Sequence, residues 1–156
     1  MLDDEDKSDF TDPYFGTFKY DESLECFETC RANGKYGYGL SIPSRGFLEK
    51  LHSLAGPQST KIEKAKIFAC SKLLELANQW AHQAAELAKE EGDEANNIPL
   101  TIDQKSFVET LIITQICINE PDEFDFWFNC KNEMFTDHGI LVNGDIENGF
   151  IDATIV

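Results

Sequence analysis

An α+β fold is predicted: a mostly antiparallel twisted sheet of six or seven strands, with one long helix and one or two shorter helices packed on a face. Three stretches carry that prediction. Phe124, Phe126 and Phe128 alternate with Asp125 and Trp127, the two-residue period of a half-buried strand. Between Thr60 and Gly92, apolar side chains recur at the 3.6-residue period of a helix packed along one stripe. Asn-Gly pairs at Asn33-Gly34, Asn143-Gly144 and Asn148-Gly149 mark hairpin turns, because type I′ geometry needs positive φ at both positions.

Residues 1–12 are polar and mostly acidic and are expected to form a flexible arm, leaving 13–156 as a single α+β domain. Tyr14 to Tyr20 reads as a first strand and Leu24 to Arg31 as a second. Lys35 to Ile42 is a third, with Tyr36, Tyr38, Leu40 and Ile42 on one face. A two-residue loop at Asn33-Gly34 sets Phe27 opposite Leu40. Gly37 and Gly39 weaken that strand and leave room for a close neighbour. Ser44 to Leu54 reads as a short helical turn closed by Gly56-Pro57.

The long helix follows, with Thr60 and Glu63 spaced as a capping box. Its apolar stripe is Ile62, Ala65, Ala69, Leu73, Leu76, Ala77, Trp80, Ala84, Leu87 and Ala88, and Gly92 is the stop. A polar loop spans Gly92 to Pro99. Thr101 and Gln104 form a second capping-box pattern, opening a helix that runs to about Thr110. Ile112, Thr114, Ile116 and Ile118 then alternate as a strand. Pairing Ile118 with Phe124 and Ile116 with Phe126 puts all their side chains on one face. Gly139 to Val142 and Phe150 to Ile155 make the last pair of strands.

The charge balance narrows the function. Acidic residues outnumber basic ones 29 to 13, a formal net charge of -16. Such a field repels nucleic acid and anionic membrane and attracts basic partners, although excess carboxylate also serves solubility. The N-terminal residues lack a basic segment followed by an apolar one, so no secretory signal is expected. No stretch approaches the roughly 20 apolar residues that span a bilayer, and a cytoplasmic location is expected. The five cysteines, Cys26, Cys30, Cys70, Cys117 and Cys130, contain no Cys-x-x-Cys and no His at zinc-ligand spacing. They read as small, mildly apolar thiols.

No phosphate loop, nucleophile elbow or paired-His helix is present, so no catalytic residue, metal or cofactor is expected. His138, beside Asp137, reads as a hydrogen-bonded sheet-corner residue. The carboxylates Glu120, Asp122, Glu123 and Asp125 cluster at one hairpin, and Asp145 and Glu147, with Asp152 beyond them, at the next. The first six of these, with Asp137 and Trp127, are the candidate partner-binding residues. Trp127 projects away from Phe126 and Phe128, so either another layer covers it or it anchors an interface.

The motifs in order resemble a bacterial family catalogued as domain of unknown function 2262. They are the Gly-aromatic strand Phe15-Gly16-Thr17-Phe18, a Leu-x-Asn…Trp helix signature at Leu76-Ala77-Asn78-Gln79-Trp80, and a helix start from Thr101 to Phe107. The last is a strand motif matched by Phe135, His138, Ile140 and Val142, from which Thr136, Asp137 and Gly139 depart. The resemblance covers Tyr14 to Val156. It implies a role of the immunity type, in which an acidic surface occludes a cognate, basic toxin domain without catalysis. An interaction or structural module with no toxin partner, and an enzyme, are the alternatives.

Overall fold

The protein is described by a computed structural model covering residues 4–29, 37–92, 101–132 and 134–156. Among these residues a single eight-stranded sheet follows chain order: β1 Phe10–Asp12, β2 Gly16–Asp21, β3 Cys26–Thr29, β4 Gly39–Ile42, β5 Leu111–Asn119, β6 Glu123–Cys130, β7 Ile140–Asp145 and β8 Gly149–Ile155. Neighbours are antiparallel except β4 and β5, which are parallel. A parallel pair cannot be closed by a hairpin and needs a long crossover. Helices α1 Leu48–Ala55, α2 Lys61–Glu90 and α3 Gln104–Thr110 all lie in that connection, so the α+β expectation holds.

The eighth strand is β1. Residues 10–12 pair with β2 instead of ending a free arm, with Phe10 opposite Phe18 and Asp12 opposite Gly16. Aromatic burial explains this: Phe10 stacks on Phe18 at 4.9 Å and meets Phe27 edge-on at 5.0 Å. β2 begins at Gly16, not Tyr14, because Asp12 draws the intervening residues into a turn. Its Oδ2 accepts the N–H groups of Tyr14 and Phe15, each at 2.8 Å.

The hairpin of β5 and β6 has the expected register, Ile118 opposite Phe124 and Ile116 opposite Phe126. Beyond it a bulge between Ile113 and Gln115 shifts the pairing by one residue. Ile113 then faces Phe128, while Ile112, expected on the core face, is turned out and 42% exposed. In the first half, Phe27 pairs with Ile42 rather than Leu40. The shift of two positions keeps Phe27 and Leu40 on one face; the Asn33-Gly34 turn lies outside the described residues. Asn143-Gly144 sits within β7, and the turn to β8 is closed by Asp145, whose Oδ2 accepts from Asn148 Nδ2 at 3.0 Å.

All three helices contribute to the core on one face of the sheet. Ala65, Ala69, Leu73, Ala77 and Ala81 of α2 are buried with Ile116, Phe126, Val142 and Ala153, and α2 packs on β7 and β8. The expected stripe holds as far as Trp80, half-buried against Phe135, and Ala81 is buried beside it, whereas Leu87 is 58% exposed, since the last turns of α2 outrun the core. Gly92 ends the helix as expected, at φ +72° with its N–H bonded to Lys89 O. Neither capping box forms. Thr60 is not in the extended conformation that aims a cap hydroxyl inward, and Ser59 Oγ accepts from Lys61 N instead. At α3 the cap is Asp103, extended, accepting from Ser106 N at 2.7 Å.

Candidate functional site

The opposite face of the sheet carries a polar row built by register alone. Glu28 of β3 lies opposite Ser41 of β4, Ser41 opposite Cys117 of β5, Cys117 opposite Asp125 of β6, and Asp125 opposite Asn143 of β7. Because side chains alternate, each is on the face away from Phe27, Ile42, Ile116, Phe126 and Val142. Trp127, next along β6 on the same face, is half-buried. As parity requires, Trp127 belongs to the side opposite the helix-packed core.

Here the sheet forms a groove of about 900 Å³. Asp125, Trp127, Cys117, Ser41, Cys26 and Glu28 line it, and Glu22, Glu25 and Glu120 stand around it. Lys7 also reaches the groove, 3.2 Å from Glu22 and over the Tyr20 ring. Glu25 adopts φ +51°, an uncommon value for a residue with a Cβ, in the turn that leads into β3. Gln115 fills the space above Gly39: a Cβ there would lie 2.0 Å from its Oε1, so the room left by this glycine takes a side chain.

Burial pushes the Asp125 carboxyl above the usual range. The hydrogen bond from Asn119 Nδ2 at 3.0 Å opposes this, and Glu123 adds to it. Burial likewise raises the thiols: Cys117 and Cys26 in the groove, Cys70 in the core, and Cys130, pushed up to about 11. Thiols held protonated in this way are poor nucleophiles, in keeping with the reading of these four as small, mildly apolar side chains. Cys30 lies outside the described residues. No group of three or more His, Cys, Asp or Glu residues is arranged to hold a metal ion among the described residues.

The eight sequence-predicted residues divide into three groups. Asp125, Trp127 and Glu120 line the groove. Asp122, Glu123, Asp145 and Glu147 lie at the adjoining end of the sheet, where Glu123 pairs with Asp145 and Ile146 N donates to Asp122 O at 2.9 Å. Two of these four already have structural work: Asp122 is ion-paired with Lys50 of α1, and Asp145 closes its turn. Asp137 lies apart, before β7 at the opposite end, fully exposed beside His138. His138 Nδ1 is 3.3 Å from Val156 O, the sheet-corner contact expected of it.

Sequence reasoning missed Glu22, Glu25 and Glu28, which come from the first half of the chain. Their meeting with Asp125 depends on the parallel β4–β5 pairing, for which the sequence has no local signal. One motif of the resemblance does have a visible role. Asn78 of α2 clamps the backbone of Ile102, accepting from its N–H at 2.6 Å and donating to its carbonyl at 3.0 Å. That contact fixes the entry to α3.

A family model described as an uncharacterized protein conserved in bacteria, domain of unknown function 2262, matches residues 12–155. The chain belongs to this family. No curated protein and no solved structure matches it. No helix is long and apolar enough to cross a membrane among the described residues.

Proposed function

We propose, for this member of that bacterial family, a non-catalytic binding role of the immunity type. Its acidic sheet face would occlude the functional surface of a basic protein toxin domain. The observation that carries the reading is the groove at Trp127, lined by carboxylates from both halves of the chain, in which Lys7, the one lysine among the described residues that line it, is paired with Glu22. The net charge of -16 extends the same field over the molecule. Carboxylates arranged in this way imitate phosphates for a basic cleft and accelerate encounter, while an aromatic side chain supplies contact area.

The test is capture of partners by the tagged protein in its native host at low and at high salt, with identification by mass spectrometry. The expected result is one basic domain in stoichiometric amount, held less well as salt rises, that is toxic when expressed without this protein. A stoichiometric partner without toxicity would transfer the protein to the class of interaction modules. Background proteins alone, at both salt concentrations, would remove the immunity reading.

A further inference from the structure

Within that binding reading, on which this inference rests, the groove differs from the rest of the acidic surface. Asp122 is neutralised by Lys50, Asp145 is occupied in its turn, and Asp137 is open to solvent. Asp125 is different: half-buried in mid-sheet, with Asn119 on one carboxylate oxygen and, among the described residues, no cation within ion-pair distance. A carboxylate withdrawn from water and left without a counter-charge is unfavourable, and an incoming cation removes that penalty. Trp127 is its neighbour two residues on, along the same face of β6.

We infer that the groove seats an arginine side chain from a short basic segment of the protein partner, with the guanidinium against Trp127 and its charge met by Asp125. Arginine suits the place better than lysine. Its plane stacks on an aromatic face, its fork matches a carboxylate, and it is less strongly hydrated than an ammonium, so it enters a half-dry groove at lower cost. A volume of about 900 Å³ lies in the range that encloses a drug-sized ligand, more than one side chain fills, so residues flanking the arginine occupy the remainder. A basic segment also satisfies Glu25, Glu28 and Glu120 around the groove, which a single small cation does not.

The full chain is titrated with hexa-arginine, hexa-lysine and spermidine, with calorimetry for affinity and tryptophan fluorescence for location. Hexa-arginine is expected to bind saturably, about tenfold tighter than hexa-lysine, and to change the emission of Trp127. Trp127→Phe should abolish that change, since Trp80 lies against Phe135 on the other side of the sheet. Asp125→Asn should weaken hexa-arginine about tenfold and Asp137→Asn less than about twofold, circular dichroism confirming that each variant is folded. Asp125→Asn keeps the shape of the side chain, so the test survives if a tryptophan variant fails to fold. Equal losses from the two Asp variants, no preference for arginine, or spermidine binding as tightly as the peptide would each overturn the inference. The two readings fail separately. A captured toxin whose binding is indifferent to Asp125→Asn leaves the immunity role standing without the groove. A groove that binds arginine while the host yields no basic partner does the reverse.

Discussion

Strands β5 to β8 are nine, eight, six and seven residues long, whereas β1 to β4 have three, six, four and four. The long strands bury a continuous row, Ile116 opposite Phe126, Phe126 opposite Val142 and Val142 opposite Ala153, under α2. In the short strands polar side chains supplement the ladder. Asp12 binds two backbone N–H groups and lies 2.9 Å from His52 Nε2, and Asp21 Oδ1 accepts from Ser23 N and Leu24 N. Arg45 lies over the Phe10 ring and donates to the carbonyls of Ser8 and Asp9. Apolar burial scales with strand length, so a half-sheet of short strands adds side-chain-to-backbone bonds to its buried Phe18, Phe27 and Ile42. The groove lies where these two halves join.

The most damaging single change is expected in the long-strand half. Phe126→Ala removes a fully buried ring from the central row and should cost about 3–5 kcal/mol in urea unfolding. If the loss is below about 1 kcal/mol, the row is not what holds β5 to β8. Gly144→Ala should cost about 1–3 kcal/mol, because a Cβ there would lie 2.2 Å from Gly149 O and 2.8 Å from the Phe124 ring. Normal stability would show that the bulge between Asn143 and Gly144, where the β7–β8 register shifts, relaxes readily.

In the short-strand half, Asp12→Asn should cost about 1–3 kcal/mol, and its signature is pH dependence. Burial raises the Asp12 carboxyl, but the hydrogen bonds from His52, Phe15 and Tyr14 outweigh it and hold the pKa below the ordinary value of 3.8. The resulting stabilisation is complete above that ordinary value and is lost as pH falls through the depressed native one. The parent should therefore lose stability below about pH 4 more steeply than Asp12→Asn. Parallel acid-unfolding curves would remove Asp12 as the anchor of β1. The smallest effect is expected at the ion pair between Lys50 and Asp122, which ties α1 to the β5–β6 hairpin and is partly exposed. Lys50→Ala should cost less than about 1 kcal/mol, readable as a small shift in the urea midpoint.

The candidate site was legible in one half only. Asp125 and Trp127 stand out because they interrupt the Phe124, Phe126, Phe128 alternation, and parity alone sends them to the far face. Glu28 obeys the same rule relative to Phe27, but nothing local says that β3 and β6 belong to one groove. Asp137, before β7, is carried by the direction of that strand to the end of the sheet opposite Glu123 and Asp145. Ile112 was misplaced for a smaller reason: one bulged residue reverses the side of every residue before it.

What the sequence by itself determined is what depends on near neighbours along the chain. That includes the α2 stripe as far as Trp80, the αL stop at Gly92, the β5–β6 register and the strongly acidic field. Periodicity, turn chemistry and net charge are all short-range or summed properties. Only the tertiary structure decided that residues 10–12 close the sheet as β1, that β4 runs parallel to β5, and that Asp103 rather than Thr101 caps α3. Each of these turns on a contact between segments remote in sequence or on one backbone angle. The groove over Trp127 depends on the largest such contact, the joining of two half-sheets across a crossover made of all three helices.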